Sequence, residues 1–254
     1  MIKISSDLAE ICGIHAGDGY LRDDGKRKEL DISGNVEERE YYDNHVVPLF
    51  NKVFNLEIKA RFFPHRNTYG FVIRDREVIY QFHEIGFPYG NKSTIIRIPK
   101  NILNSGDSII YRRFLRGYLD TDGCINFDKK VANSSIFKKT RNFYPRLLFT
   151  TCSLNLTKDF KYIAGILGFR ASVYKYIPKK LTENPRYQIQ ICGKKSMENW
   201  MEIIGSKNLS KFIRFEIWKK FGYCPPNTNY KQRIKILKSQ LDPNSLYGPV
   251  AQPG

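Results

Sequence analysis

Two kinds of patterning alternate along the chain: apolar runs with a helical period, and short stretches in which apolar and polar residues take turns as in half-exposed strands. In "LEIKARFF" (56–63), Ile58, Ala60 and Phe62 alternate with Glu57, Lys59 and Arg61. In "RYQIQIC" (186–192), Tyr187, Ile189 and Ile191 fill one face while Arg186, Gln188 and Gln190 occupy the other. The first half of the chain therefore predicts a helix capped by Ser6 or Asp7, with Glu10 completing a capping box on Asp7, that runs through Asp18. Strands near 20–22 and 28–33, a helix near 36–53, strands near 56–63 and 69–74 and a helix near 76–85 follow. The second half predicts a helix from Asp107 or Ser108 through Asp122, strands near 124–128 and 144–152, a helix near 155–167, strands near 170–177 and 186–192, and a helix near 194–204.

The two halves read in one order, and a weak duplication accounts for it. "GIHAGDGYL" (13–21) aligns with "GYLDTDGCI" (117–125), which sets Asp18 opposite Asp122. "YGFVIRDREVIYQFHEIG" (69–86) aligns with "YQIQICGKKSMENWMEII" (187–204), setting Glu84 opposite Glu202. The second copy is longer because its first hairpin turns on "DKKVANSSIFKKTRNFY" (128–144), where the first copy uses "RDDGKRK" (22–28) with Asp24-Gly25 at a tight turn. The longer loop reads equally as a flexible connection and as a nucleic-acid contact. The expected fold class is α+β: two pseudo-symmetric αββαββα repeats, 1–104 and 105–224, whose interface resembles a true two-fold contact. A basic tail, 225–254, opens on a proline pair; it is expected to hold a short helix near 229–241, then disorder, and is assigned no catalysis.

Charge narrows the partner. The chain has 254 residues with 42 Lys+Arg against 25 Asp+Glu, a formal net charge of +17. Such an excess points to a polyanion, with nucleic acid favoured over a membrane surface because no apolar run reaches membrane-spanning length. The N-terminus lacks the layout of a secretory signal, so the expectation is a soluble intracellular protein that is not secreted: archaeal or bacterial cytoplasm, or an organelle matrix. Five scattered cysteines and four scattered histidines show no local zinc, redox or nucleophile spacing.

The candidate chemistry lies where the first helix of each copy ends. Small residues recur four apart there, Gly13 and Gly17 in one copy, Gly117 and Thr121 in the other, and small residues on one face let two helix backbones approach. Gly19 and Gly123 are expected to stop the helices in a left-handed cap. A cap does not explain Asp18 and Asp122, since an acid at the negative end of a helix dipole is locally unfavourable. Two readings answer this: solvated helix-end acids, or two carboxylates brought together at a symmetry axis to grip a hard divalent cation. On the second reading the metal ligands are Asp18 and Asp122, with Gly17 and Thr121 beside them. Asp120, out of phase, reads as structural.

These residues resemble the LAGLIDADG homing endonucleases in their single-chain, two-motif form. "LRGYLDTDG" (115–123) keeps the leucine, glycine and final Asp-x-Asp-Gly of the family motif, whereas "ICGIHAGDG" (11–19) departs from it at Ala16 and His15 but retains Asp18. The resemblance covers about residues 5–222. It implies antiparallel four-stranded sheets forming a saddle on double-stranded DNA, and a staggered double-strand break in a long target by metal-dependent phosphodiester hydrolysis. It further implies Mg2+ as cofactor, with Mn2+ as a substitute and Ca2+ supporting binding without cleavage. It implies one acid per strand, Asp18 and Asp122, and a basic residue after the last helix of each repeat, for which Lys92 and Lys207 are the matches. Base reading falls to the exposed strand faces: Arg22, Lys59, Arg61, Arg186, Gln188 and Gln190. Because the copies differ at these positions, the expected target is asymmetric. No obligate protein partner is expected. An intron RNA maturase of the same family, with host intron RNA as partner, is the alternative; a catalytically dead DNA-binding protein and a two-carboxylate glycosidase fit the residues less well.

Overall fold

A computed structural model describes residues 2–130, 141–180 and 182–247. Its first half runs helix Ser6–Asp18, β1 (Gly19–Asp23), β2 (Lys28–Asn35), a helical run over 36–54, β3 (Arg61–Phe63), β4 (Thr68–Ile73) and helix Arg76–Ile85. The second half repeats the order with helix Ser108–Thr121, β5 (Gly123–Lys130), β6 (Arg141–Thr151), helix Leu154–Ile166, β7 (Ser172–Tyr176), β8 (Arg186–Cys192) and helix Lys194–Ile203. Each half folds its strands into one antiparallel sheet, in the matching orders β1-β2-β4-β3 and β5-β6-β8-β7. One face of each sheet is apolar and buried under helices. Leu30, Ile32, Phe71 and Ile73 supply it in the first sheet, and Ile125, Leu147, Phe149, Ile189 and Ile191 in the second. No helix among the described residues is long and apolar enough to cross a membrane.

The expected elements form, with instructive departures. The first helix is capped by Ser5, whose hydroxyl accepts from Leu8 N at 3.2 Å, so neither Ser6 nor Asp7 is the cap and Glu10 completes no capping box. The run over 36–54 contains a π turn, Tyr42–Val46, just before Pro48, a residue with no N–H to give to a regular helix. The strand predicted over 56–63 shrinks to its last three residues. Asn51 explains this, because its amide donates to Ile58 O at 3.1 Å and its Oδ1 accepts from Ile58 N at 2.9 Å, taking both groups from any ladder. On that short edge strand Phe62 is exposed, against the expectation of an inward side chain. Residues 131–140 of the long basic loop lie outside the described residues.

Two further helices extend the second half. Leu209–Phe221, unforeseen in the sequence, starts on Asn208, whose side chain accepts from Ser210 N at 3.0 Å, and stops at Gly222, which has φ 76°. Tyr230–Leu237 begins with a full capping box between Asn229 and Gln232 and packs on that helix through buried Ile236. Tyr230 also donates to Glu40 Oε2 at 2.7 Å and Arg233 pairs with Glu37 at 3.6 Å, so this tail segment ties back to the first half. The tail beyond 247 lies outside the described residues.

At the centre, helices Ser6–Asp18 and Ser108–Thr121, the two motif helices, touch backbone to backbone. A methyl group at Gly13 would overlap the carbonyl oxygen of Phe114 and sit 2.9 Å from Tyr118 N. One at Gly117 would overlap the carbonyl oxygen of Glu10 and sit 2.8 Å from Ile14 N. One turn on, Gly17 lies against Thr121, whose Oγ1 donates to Gly117 O at 2.9 Å. Gly19 is extended (φ −84°, ψ 147°), and Gly123 is likewise absent from the left-handed residues, so the expected left-handed cap is wrong at both. A side chain at Gly19 would run into the His15 ring and one at Gly123 into Leu119: close approach, not handedness, requires these glycines.

Gly13→Ala or Gly117→Ala is expected to cost about 3 kcal/mol or more, because neither backbone can give way independently. Gly165→Ala, in helix Leu154–Ile166 with open space around the added methyl, is expected to gain about 0.5–1 kcal/mol. Urea unfolding of the three variants checks both signs.

Candidate active site at the ends of the motif helices

The close helix crossing brings both motif acids to one place. Asp18 is the last residue of its helix and accepts a hydrogen bond from the Tyr42 hydroxyl at 2.6 Å. Gly34 makes room for it: a side chain there would meet Asp18 Oδ2 at 2.6 Å, and Glu38 Oε2 and the Tyr42 hydroxyl at 3.0 Å. Asp122 follows the other helix and packs against the end of the first, its carboxyl carbon 3.2 Å from where a side chain on Gly17 would begin. It opens into a cleft of about 610 Å3 shared with Tyr20, Lys92, Thr151 and Arg186. Burial pushes the Asp18 carboxyl up to about 7, with Glu38 and Asp122 adding and Tyr42 and Lys211 opposing. Asp122 is raised as well, by desolvation among the cleft walls, while Lys92 and Lys211 pull it down.

Each helix end carries a lysine. Lys92 donates to the carbonyls of Ala16 and Gly17, both at 2.9 Å, and to that of His15. Its three N–H donors are thereby spent on one helix terminus, where positive charge offsets the dipole. Burial lowers Lys92 to about 8 although both acids oppose the shift. In the other half the matching position is taken by Lys211, which donates to Leu119 O at 3.0 Å and to Thr121 O, and stands 3.8 Å from Glu38. Lys207 is not that residue. Its backbone N–H donates to Asp120 Oδ2 at 2.8 Å and the residue is exposed. Asp120 itself is fully buried and anchors the 206–208 loop, accepting from Ser206 Oγ at 2.5 Å; burial pushes it up to about 6 against those hydrogen bonds.

Asp122 supplies the cleft with a carboxylate, a hard oxygen donor that suits a divalent cation, and Cys152 also lines it. No group of three or more His, Cys, Asp or Glu residues among the described residues could hold a metal ion. Asp122 lines the cleft while Asp18 stands beside it against Tyr42, and two neighbouring carboxylates suit a hard, magnesium-type ion that keeps several waters. The carbonyls of Gly17 and Thr121, expected beside the metal, each accept from lysine instead.

The base-reading candidates are unevenly available. Lys59, Arg61 and Arg186 are exposed, Arg186 with a 3.3 Å contact to Glu183. Arg22 is held by Asp24 at 2.5 Å and by Glu29 at 3.6 Å. Gln190 is buried and committed: Arg146 donates to its Oε1 at 3.2 Å, and its amide donates to Gln188 Oε1 at 2.6 Å. Cross-strand register places Tyr174 beside Gln188 and Tyr176 beside Arg186, adding two exposed tyrosines that alternation in β8 alone did not reveal.

At the opposite end of the crossing is a group the sequence reading missed. Glu10, fully buried, accepts from Arg113 at 2.7 Å and twice from Arg116 on the other motif helix, and lies 2.7 Å from His45 Nε2. Desolvation raises its pKa, but the His45 and Arg116 contacts outweigh it and hold the carboxyl down at about 2. The true cap explains why: with Ser5 as the cap, Glu10 is the fifth residue of the helix, beyond the reach of a capping box.

Residues 110–205 match the LAGLIDADG-like domain family. The matched stretch spans most of the second repeat. Among solved structures, I-DmoI in complex with DNA and Mn is 15% identical with a TM-score of 0.53, the match covering 79% of this chain and 96% of that one. The I-LtrWI LAGLIDADG homing endonuclease bound to target DNA is 13% identical with a TM-score of 0.54, covering 85% and 89%. At these identities the likeness establishes the fold, so the two-repeat architecture is that of I-DmoI and I-LtrWI. No curated protein sequence matches the chain.

Glu10→Gln is expected to destabilise the protein by about 3 kcal/mol at neutral pH, since it leaves two arginines facing a neutral amide. The folded pKa is depressed, so the carboxylate's contribution is full above its ordinary value near 4.5 and is lost as pH falls towards about 2. Unfolding free energies of variant and parent measured across that window should converge at the acid end.

Proposed function

We propose that this chain is a homing endonuclease that cuts both strands of duplex DNA at a long, asymmetric site by divalent-metal-dependent phosphodiester hydrolysis. The observation that carries the reading is the meeting of Asp18 and Asp122 at the ends of two crossing helices, in a strongly basic chain. The likeness to structures solved with target DNA supports it.

Asp18 and Asp122 would hold the metal, one acid serving each strand. Bound there, a divalent ion such as Mg2+ supplies activation of water and neutralisation of charge on the phosphate and leaving oxygen. The chain's own residues set up that exchange. Tyr42 orients the Asp18 carboxylate through its hydroxyl, and Gly34 leaves the space it occupies. Lys92 and Lys211 act as positioning residues: with N–H groups engaged by helix carbonyls, they contribute positive charge beside the acids and fix the helix ends. Glu38 links the halves, accepting from Asn208 at 2.8 Å while Asn208 also donates to Asp120 O at 2.7 Å. The exposed strand faces would read bases and the remaining cations would hold phosphates.

Selection from randomised duplexes in Mg2+ identifies the target. On it, Asp18→Asn and Asp122→Asn are each expected to lower double-strand cleavage at least about 100-fold while binding in Ca2+ is retained. Full cutting by either variant overturns the assignment. Lys211→Met is expected to impair cleavage and Lys207→Met to spare it. Absence of any cut in intronless host DNA, together with stimulated intron splicing, would move the reading to an RNA maturase.

A further inference from the structure

The first sheet ends, away from the acids, in a concentration of unpaired positive charge. β1 leaves the active centre at Gly19 and reaches the hairpin turn at 24–27 about 15 Å further on. There Lys26, Arg27 and Lys28 face Arg74 and Arg76 across a pocket of about 580 Å3. Aspartates alternate with these cations in the sequence, in "RDDGKRK" and again in "RDR", so simple neutralisation would be the default expectation. The structure uses the aspartates otherwise. Asp24 Oδ1 accepts from the backbone N–H groups of Lys26 at 3.1 Å and Arg27 at 2.7 Å, while its other oxygen takes Arg22. Asp23 accepts from Gly25 N at 3.2 Å and pairs with Lys28 at 2.7 Å. Asp75, between the two arginines, caps helix Arg76–Ile85 by accepting from Glu77 N at 2.9 Å and Val78 N at 3.0 Å. Glu29, the acid in the pocket wall, is engaged by Arg22.

Each of these acids thus has a local structural task, and none among the described residues forms an ion pair with Lys26, Arg27, Arg74 or Arg76. Four exposed like charges around one pocket repel each other in the free protein, and an anion with several oxygens relieves them. Arg74 and Arg76 provide planar forks suited to phosphate, and the turn adds two flexible cations.

We propose that this pocket is a phosphate clamp that grips the sugar–phosphate backbone of duplex DNA beyond the base-reading surface, adding affinity without sequence preference. The inference rests on the endonuclease reading for the direction in which DNA lies, but its test needs no cleavage and no known target. The probe is a mixed-sequence DNA duplex of roughly 30 base pairs, bound without divalent metal over a series of salt concentrations. Each phosphate contact contributes about 0.9 to the slope of log K against log salt.

Arg74→Gln/Arg76→Gln is expected to flatten that slope by about 1 to 2 and to weaken binding at low salt by roughly fivefold or more. Lys26→Gln/Arg27→Gln should act in the same sense, with the turn preserved because Asp24 holds it through backbone groups. Lys231→Gln/Lys235→Gln, which removes equal charge from helix Tyr230–Leu237, should keep the parent slope. Parent slopes in both pocket variants, or equal flattening in the control, would overturn the clamp. A parent protein that holds no duplex at any salt would instead remove the endonuclease reading.

Discussion

Everything at the candidate site depends on two helices being able to touch through their backbones. The contact at Gly13 and Gly117 leaves no room for a side chain on either helix, so the crossing point and the relative height of the helices are fixed by steric exclusion. One turn beyond it both helices end, which is why Asp18 and Asp122 share a single neighbourhood although they are far apart in sequence. The same geometry gathers unpaired carbonyls, and negative helix ends beside two acids cannot be stable unaided. Lys92 and Lys211 answer that need. They come from segments with no sequence likeness yet perform the same task on related helix ends, one from a loop and one from the first turn of helix Leu209–Phe221. Glu10 holds the far end of the crossing with two arginines from the opposite helix, so charge pairing secures one end while the acids at the other are balanced only by lysines.

The pseudo-symmetry is one of backbone and not of chemistry. Asp18 sits among Tyr42, Glu38 and the floor that Gly34 leaves clear, whereas Asp122 opens into the cleft beside Tyr20 and Lys92. The sheets differ as well. The first engages Arg22 with Asp24 and Glu29 and leaves cations at its far end, while the second carries a glutamine pair, Arg146 and two exposed tyrosines. On the proposed endonuclease reading, two sheet faces that share so little would favour an asymmetric target over a palindrome.

Much of this was legible in the sequence because it depends on local rules. Period-2 alternation marks β8, and the small residues four apart mark the helix contact. Three of the departures have one cause, a side chain whose partner is distant in sequence. Glu10 was assigned a local capping role, yet its partners are His45, Arg113 and Arg116. Gln190 was placed by alternation on the open face, as it is, but Arg146 from the neighbouring strand claims it. Lys207 was selected by loop position, whereas Lys211 reaches the helix end because an unpredicted helix starts at Asn208. The signals for that helix were present in Asn208 and Gly222, which bracket Ile213, Ile217 and Trp218. The extended conformation of Gly19 and Gly123 had no such signal, because glycine serves close approach and left-handed caps equally well.

Two of the buried acids oppose folding near neutral pH. A carboxyl held near 7 in the folded protein and near 3.8 in an open chain opposes folding progressively as pH rises between those values, so Asp18 makes the free protein less stable at neutral pH than a neutral residue would. Asp120, raised to about 6 even with hydrogen bonds from Ser206 and the Lys207 backbone holding it down, acts in the same direction. Asp18 has only Tyr42 and the remote charge of Lys211 against Glu38 and Asp122. Such an arrangement is expensive unless a cation joins it, and the helix crossing, the Glu10 cluster and the aromatic packing around His15, Phe82 and Phe87 must offset it. The stabilising contacts thus lie away from the cleft and the destabilising ones beside it, a distribution that the proposed metal-binding role of these acids would account for.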